Sequence, residues 1–221
     1  MTLRVVVWDK TDLGRFRPGH DGSGGTARVR LGLSPAWWFG ARIHAVARRL
    51  EGTDLMSRGV ASWQEAIQFA VACTSAAQTP LTELQVWGHG GWGFMDLGPT
   101  RLDRAALADG STLAGPLDLL RDLLADDAQV WLRCCSAFGG RAGRAFAPAL
   151  ARRLDARVVG HTYVIGALQS GTHSLEAGAY PDWPLEEGVE LEGGEPVRAK
   201  GSGPREPRTI GCLRLDLPPG F

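Results

Sequence analysis

The chain has 221 residues, of which 44% are hydrophobic and 22% charged, as is typical of a globular protein with one sizeable core. Basic and acidic residues are equal in number, 24 of each, so there is no overall positive field of the kind that favours nucleic-acid binding. The chain holds no apolar run of about 18 residues and no pattern of an export signal, so we expect no membrane segment and a cytoplasmic location. One domain over residues 1–221 is therefore predicted.

The first half of the chain predicts a strand followed by two helices. A β-branched apolar run predicts a strand at residues 3–8, and the glycine-rich segment 17–25 is typical of a loop. Ser34 is followed by proline and then by an apolar face at helical spacing, which predicts a helix start. Ser62 and Glu65 have capping-box spacing and predict the start of a second helix.

The second half continues the alternation of strands and helices. Apolar runs predict strands at 84–87, 130–133 and 157–159. Leucines at helical spacing predict a helical connection over residues 102–127, and a further helix is predicted over 139–154. Strands that alternate with helices in this way predict a three-layer α/β sandwich with a largely parallel sheet. The glycine-rich turns of residues 185–221 predict a β-rich C-terminal segment.

Two of the predicted strands run directly into reactive side chains. His89 follows strand 84–87, while Cys134 and Cys135 follow strand 130–133. The carboxyl ends of parallel strands meet at one edge of a sheet, which is where ligands bind in α/β folds. A thiol with a pKa of about 8.5 is mostly protonated at neutral pH, and a nearby imidazole can remove its proton. The pattern indicates a His/Cys dyad; the alternative is a turn histidine with two buried, structural cysteines.

The order of these two motifs resembles the caspase-like cysteine peptidases of clan CD. The segment Val86-Trp87-Gly88-His89-Gly90 is similar to the strand-His-Gly motif of that family, and Val130-Trp131-Leu132-Arg133-Cys134-Cys135 is similar to its strand-Cys motif. The resemblance covers roughly residues 80–165. It implies a caspase-like sandwich and a peptidase that hydrolyses a peptide bond through a thioester intermediate.

The resemblance also implies roles for individual residues. His89 corresponds to the general base and Gly90 to an oxyanion donor. In the family, two residues lie between the last apolar residue of the strand and the nucleophilic cysteine. Arg133 and Cys134 fill that gap here, so the spacing favours Cys135 as the nucleophile and leaves Cys134 as the second choice. Four further residues near these motifs are predicted to bind substrate: Trp92, Arg133, Ser136 and His161.

The chain also departs from the family pattern. Cys135 is followed by Ser136 rather than by Arg-Gly, and no segment resembles an Asp-rich activation linker, so the resemblance does not imply Asp specificity. Asp96 and Asp103 follow His89 closely in sequence, and either one can orient its imidazole as the third member of a triad does. The alternative for both carboxylates is a solvated surface.

Two other functional classes fit the same residues. One is a catalytically inactive caspase-like module that binds a peptide or a protein partner, and the other is a Cys-dependent hydrolase of a different amide or ester. We expect no cofactor and no metal, because the chain has no C-x-x-C pair and its histidines are scattered. The predicted partner is a peptide or protein substrate, and a regulatory protein partner is left open. We expect no binding to nucleic acid or to a membrane. The sequence leaves the oligomeric state open.

Overall fold

The fold is described by a computed structural model that covers residues 2–17, 28–53 and 55–221. Within these ranges the helices are α1 (Ser34–Leu50), α2 (Trp63–Ala77), α3 (Ala114–Leu123) and α4 (Gly140–Leu154). The strands of the first half are β1 (Leu3–Asp9), β2 (Gly14–Arg17), β3 (Arg28–Leu31), β4 (Leu55–Val60), β5 (Leu81–Trp87), β6 (His89–Gly91), β7 (Phe94–Leu97) and β8 (Thr100–Asp103). Those of the second half are β9 (Leu124–Arg133), β10 (Arg157–His161), β11 (Leu168–Gln169), β12 (Thr172–Leu175), β13 (Val189–Glu192), β14 (Glu195–Ala199) and β15 (Ile210–Gly211).

A six-stranded sheet forms the centre of the fold. Its strand order is β12-β10-β9-β5-β1-β4, and every neighbouring pair is parallel except β10 with β12. The predicted strands at 3–8, 84–87, 130–133 and 157–159 all belong to this sheet. The prediction of an α/β fold with a largely parallel sheet is therefore confirmed.

Alternation along the strands divides the core between the two faces of the sheet. Val5, Leu84 and Val130 point to one face, where they form the main core with residues of α2, α3 and α4. Val6 and Trp87 point to the other face and pack against α1. Residues 210–221, which we call the C-terminal strap, cover the rest of this second face.

The predicted helical connection 102–127 is wrong in its extent. Strand β8 continues to Asp103, turns follow, and only Ala114–Leu123 is helical before β9 begins. The Asp103 carboxylate accepts a hydrogen bond from the Ala106 N–H at 2.9 Å, and Gly110 has φ +82°, a conformation that a helix cannot contain. Helical spacing of leucines was a misleading signal here, because a turn-rich segment buries leucines as effectively as a helix does.

The two predicted helix starts differ in their capping. The Ser62 hydroxyl accepts a hydrogen bond from the Glu65 N–H at 3.1 Å, so the predicted N-cap of α2 is confirmed. Helix α1 begins at Ser34 as predicted, but the Ser34 hydroxyl donates to the Asp9 carbonyl at 2.7 Å instead of capping the helix. That bond ties the first turn of α1 to the end of β1.

No helix in the described ranges combines the length and the apolar character needed to cross a membrane.

The C-terminal segment contains little regular structure besides short strand pairs. Strands β13 and β14 form an antiparallel hairpin, and β15 pairs with β11. The strap then lies over the sheet, where Ile210, Leu217 and Phe221 pack around Trp131. Apart from Arg17, the predicted loop 17–25 lies outside the described residues.

A partly buried carboxylate joins this C-terminal region to the sheet. Glu187 accepts hydrogen bonds from His173 Nε2 at 2.6 Å and from the Thr162 hydroxyl at 2.7 Å. The His173 ring stacks on Trp183 with the ring centres 4.5 Å apart. Burial works to raise the pKa of Glu187, but the two hydrogen bonds outweigh it and hold the pKa below the ordinary value of 4.5.

Glu187 is therefore expected to make stability depend on pH in acid. Since its pKa is lowered by folding, the stabilisation is present above pH 4.5 and is lost as the pH falls through the pKa of the folded protein. Glu187→Gln should lower the free energy of unfolding at pH 7 by about 1–2 kcal/mol, and the difference from the wild type should shrink below pH 4.5. Urea unfolding at several pH values measures it. Glu190→Gln, which removes an exposed pair with Arg198, is the control and should cost less than about 0.5 kcal/mol at either pH.

Candidate active site

The carboxyl ends of β1, β5 and β9 form the edge at which the reactive residues lie. Strand β1 leads into α1 on one face of the sheet, whereas β5 leads by way of the β6–β8 meander to α3 on the other face. A crevice forms in an open α/β sheet where neighbouring connections leave on opposite faces. Trp87 pairs with Trp8 of β1 and with Arg133 of β9, so the crevice lies just beyond these three residues.

His89 and Cys135 occupy equivalent positions on neighbouring strand ends. Each lies two residues beyond the end of its strand, and the two last strand residues, Trp87 and Arg133, pair with each other in the sheet. His89 faces α1, since its ring contacts Trp37 of that helix. The turn at Gly90 touches the cysteines directly: a Cβ atom on Gly90 would lie 2.6 Å from the Cys134 sulfur and 2.9 Å from the Cys135 carbonyl oxygen. The fold thus brings His89, Gly90 and Cys135 to one edge.

A carboxylate from the β1 loop orients the imidazole. His89 Nε2 lies 2.9 Å from Asp12 Oδ2, and the Trp37 ring of α1 packs edge-on against the imidazole with ring centres 5.2 Å apart. Asp12 also accepts a hydrogen bond from the Leu33 N–H at 2.9 Å, which fixes the carboxylate at the start of α1.

The charge of Asp12 determines which nitrogen of His89 is free. Burial works to raise the pKa of Asp12, but the hydrogen bonds from the Leu33 N–H and from His89 outweigh it and hold the pKa below its ordinary value of 3.8. An ionised carboxylate only accepts hydrogen bonds, so Nε2 of His89 is the protonated nitrogen that donates to it. Nδ1 is then the nitrogen whose lone pair can accept a proton.

Asp96 and Asp103, which lie close to His89 in sequence, contact residues other than His89. Asp96 forms an ion pair with Arg101 at 2.8 Å, and Asp103 caps the turn at Ala106. Neither is the partner of His89, so of the two alternatives for these carboxylates the triad role is wrong. Sequence reasoning missed Asp12 because it lies 77 residues from His89. A signal did exist, since Asp12 follows the first predicted strand and the loops after parallel strands share one edge.

The structure distinguishes the two adjacent cysteines. Cys134 is 1% exposed and belongs to the main core, and burial raises the pKa of its thiol well above the ordinary value. Cys135 is partly exposed, and its sulfur lies 3.9 Å from the Ile165 carbonyl oxygen, to which the S–H donates weakly. Burial also raises the pKa of the Cys135 thiol, so the resting side chain is neutral at pH 7. Cys135 is the more exposed of the two residues.

Ser136 makes the sharp turn that ends strand β9. It has φ +46°, a left-handed conformation that costs free energy for a residue with a side chain and is often found at functional sites. Its N–H donates to the Tyr163 carbonyl at 2.8 Å, and the residue is 3% exposed. Ser136, predicted to bind substrate, instead lies inside the turn that presents Cys135.

An apolar cavity of about 480 Å³ opens beside the two reactive side chains. It lies between α1, the ends of β5 and β9, the loop 165–169 and the strap residues Cys212 and Leu213. Trp37, which contacts His89, and Ile165, which contacts Cys135, both belong to its lining. The sequence did not single out Trp37 or Cys212, because a wall built from five separate segments leaves no local motif.

Arg133 lines this cavity and is 3% exposed. Its guanidinium donates hydrogen bonds to the Gln169 side-chain oxygen at 3.2 Å, to the Cys212 carbonyl at 2.9 Å and to the Arg214 carbonyl. It also stacks on the Trp131 ring, 3.8 Å from the ring centre. Burial lowers the pKa of Arg133 to about 9, so the side chain is still cationic at pH 7.

The other two predicted substrate residues lie apart from this cavity. Trp92 rests on the backbone of Gly139 and lines a different opening of about 510 Å³ at the start of α4. His161 has no exposed surface and lies 3.4 Å from the Trp131 indole nitrogen, with its other nitrogen 3.2 Å from the Thr172 hydroxyl. Burial and the nearby Arg133 charge lower the pKa of His161 to about 3, so it is a neutral, buried part of the sheet.

Comparison with known families places the chain in one of them. A family described as "Domain of unknown function (DUF4347)" matches residues 54–188, more than half of the chain, and the chain belongs to it. The match contains His89, Cys135 and Arg133, whereas Asp12, Trp37 and the strap lie outside it. No curated protein matches the chain.

Proposed function

We propose that this member of the DUF4347 family is a cysteine peptidase of caspase-like type that cleaves a peptide bond with His89 as the base and Cys135 as the nucleophile. One observation carries the proposal. An imidazole oriented by an ionised carboxylate follows one strand and a partly exposed cysteine follows the neighbouring strand. Trp37, which contacts His89, and Ile165, which contacts Cys135, line a cavity large enough for a substrate side chain. The strand-His-Gly and strand-Cys order supports the caspase-like form of the chemistry.

In the first half of the reaction the Cys135 sulfur attacks the carbonyl carbon of the peptide bond. The S–H proton passes to His89 Nδ1, and the imidazolium that forms is stabilised by the Asp12 carboxylate on Nε2. When the tetrahedral intermediate collapses, the C–N bond breaks and the proton moves from His89 to the leaving amine. The product is a thioester between Cys135 and the acyl part of the substrate.

In the second half a water molecule attacks the thioester carbonyl. His89 removes a proton from this water, the C–S bond breaks, and the proton returns to the sulfur, so that the carboxylic acid leaves and the thiol is restored. The backbone N–H groups of Gly90 and Cys135 are the proposed donors to the oxyanion of both steps, and the close packing of Gly90 against Cys134 and Cys135 supports this assignment.

The raised pKa of Cys135 fits a mechanism in which the thiol stays neutral until substrate binds. Proton transfer to His89 then accompanies the attack, because the attack itself removes the charge that burial penalises. The same observation also favours the second candidate function, an inactive module that binds a peptide at this edge. A thiol that no base reaches would leave such a module unreactive.

The experiment that separates the two is digestion of a mixed peptide library, followed by mass spectrometry of the new chain ends. The wild type is expected to produce a recurrent set of cleaved bonds that Cys135→Ala does not produce, while Cys134→Ala should produce the same set. Cleavage that persists in Cys135→Ala overturns the proposal. Binding of library peptides without cleavage would assign the edge to the binding module, and cleavage of small amides or esters alone would assign it to another class of hydrolase.

A further inference from the structure

The two edge strands of the central sheet differ in what lies beside them. At β12 the Thr172 N–H donates to the Arg208 carbonyl at 3.2 Å, so the C-terminal region covers part of that edge. Strand β4 pairs with β1 on one side, and no strand in the described ranges lies along its other side. An uncovered edge strand presents a row of backbone donors and acceptors to which another chain can add.

One hydrogen bond shows which backbone groups of β4 face outward. The Lys10 N–H donates to the Val60 carbonyl at 2.9 Å, so Val60 turns its backbone groups toward β1. The direction of these groups alternates from one residue of a strand to the next. Leu55, Ser57 and Gly59 therefore turn their N–H and C=O groups away from β1, toward the open side of the sheet.

A basic groove of about 340 Å³ lies beside this edge. It is lined by Arg42, Ala45, Val46 and Arg49 of α1 and by Leu55 and Ser57 of β4. Arg42 and Arg49 are exposed, and in the described ranges the ion pairs of α1 are made by Arg48 instead. The groove thus offers two cations that no carboxylate of the described residues neutralises.

The two faces of β4 differ in chemistry. Leu55 and Ser57 lie on the α1 face beside the two arginines, whereas Met56 lies on the opposite face and is 43% exposed. A strand added to β4 continues both faces, so its residues on the α1 side meet cations and the alternate residues lie beside Met56. Arg42 and Arg49 are about 10 Å apart along the helix, and alternate strand residues are about 7 Å apart, so two acidic residues on one face can each pair with one arginine.

We propose that β4 binds an extended segment of a partner protein in which acidic and apolar residues alternate. The segment adds to the sheet as a further strand, with its backbone paired to the outward groups of β4 and its acidic side chains directed to Arg42 and Arg49. A nucleic acid would neutralise the arginines but would leave the outward carbonyls of β4 without a matching row of donors. The proposal does not depend on the peptidase reaction.

The test is the fluorescence anisotropy of a labelled peptide of about eight residues in which glutamate and valine alternate. We expect the wild-type protein to bind it with a Kd at least about tenfold lower than that of a matched peptide of lysine and valine, because the lysines meet like charges. Equal binding of the two peptides overturns the proposal, and so does an absence of binding by the glutamate peptide.

Three variants locate the binding surface. Ser57→Pro removes an outward backbone donor and leaves the hydrogen bonds to β1 in place, so it should fold and lose binding, since edge strands tolerate proline. Arg42→Glu combined with Arg49→Glu should weaken binding of the glutamate peptide at least about tenfold and strengthen binding of the lysine peptide. Arg152→Glu, at an exposed position of α4, is the control and should change neither by more than about twofold. If Ser57→Pro does not fold, the arginine variant still decides, since unchanged binding in it contradicts the proposal.

The alternative occupant of this edge is a second copy of the chain, and analytical ultracentrifugation distinguishes it. A monomeric wild type that binds the glutamate peptide supports the proposal. Self-association that Ser57→Pro abolishes, in a protein that does not bind the glutamate peptide, would assign the edge to a dimer and overturn it.

Discussion

Replacing His89 with alanine is expected to lower kcat/KM for peptide hydrolysis at pH 7 about 10³-fold, because the neutral Cys135 thiol then has no base to accept its proton. Asp12→Asn keeps the shape of the orienting side chain but removes its charge. It should lower kcat/KM about 10²-fold, since the imidazolium formed during the attack loses its stabilising partner. Initial rates with the best peptide from the library measure both effects.

A matched control distinguishes orientation of the imidazole from general electrostatics. Asp96 lies opposite His89 in the β6–β7 pair, but its carboxylate forms an ion pair with Arg101. Asp96→Asn should therefore change kcat/KM by less than about twofold, in keeping with the small energies of exposed ion pairs. Equal losses in Asp12→Asn and Asp96→Asn would contradict the role assigned to Asp12.

Trp131→Ala is expected to lower the free energy of unfolding by about 3–5 kcal/mol, more than any other single substitution near the site. The indole has no exposed surface, stacks on the Arg133 guanidinium and supports Ile210 and Phe221 of the strap. Its removal leaves a cavity beneath the strap, and the strap forms one wall of the pocket through Cys212. Urea unfolding measures the loss.

Limited proteolysis shows where the stability is lost. Trypsin is expected to cut Trp131→Ala first at Arg208 and Arg214, which lie beside and within the strap, because local opening of the strap gives the protease access to the backbone there. Trp38→Ala is the control: this indole on α1 is 48% exposed, and its removal should cost less than about 1 kcal/mol. Resistance of residues 205–221 in Trp131→Ala would contradict the contribution of Trp131 to holding the strap.

Those parts of the fold that a local pattern encodes could be predicted from the sequence. The apolar runs of β1, β5, β9 and β10 are short and continuous because these strands are buried on both faces. Such runs can be recognised in the sequence alone. The capping box at Ser62 is equally local. Strand β4 was missed because it is an edge strand whose residues alternate between exposed and half-buried, so its apolar run is broken by Ser57 and Arg58.

Only those site residues that directly follow an apolar strand could be predicted from the sequence. His89 and Cys135 follow apolar strands, and the parallel sheet places the ends of these two strands side by side. The partner of His89 could not be predicted in the same way, because Asp12 approaches from the other side of the crevice through the tertiary fold. His161 also follows an apolar strand, but the strap and β12 cover it, and sequence alone does not show which strand ends are covered.

The dyad is tested by the rate at which iodoacetamide alkylates Cys135 at pH 7, with mass spectrometry locating the label. Cys135 is expected to be labelled before Cys134 and Cys73, which are buried, and His89→Ala is expected to slow its labelling at least about tenfold. Labelling of Cys135 at the same rate in the wild type and in His89→Ala would show that the imidazole does not act on this thiol, and would contradict the dyad.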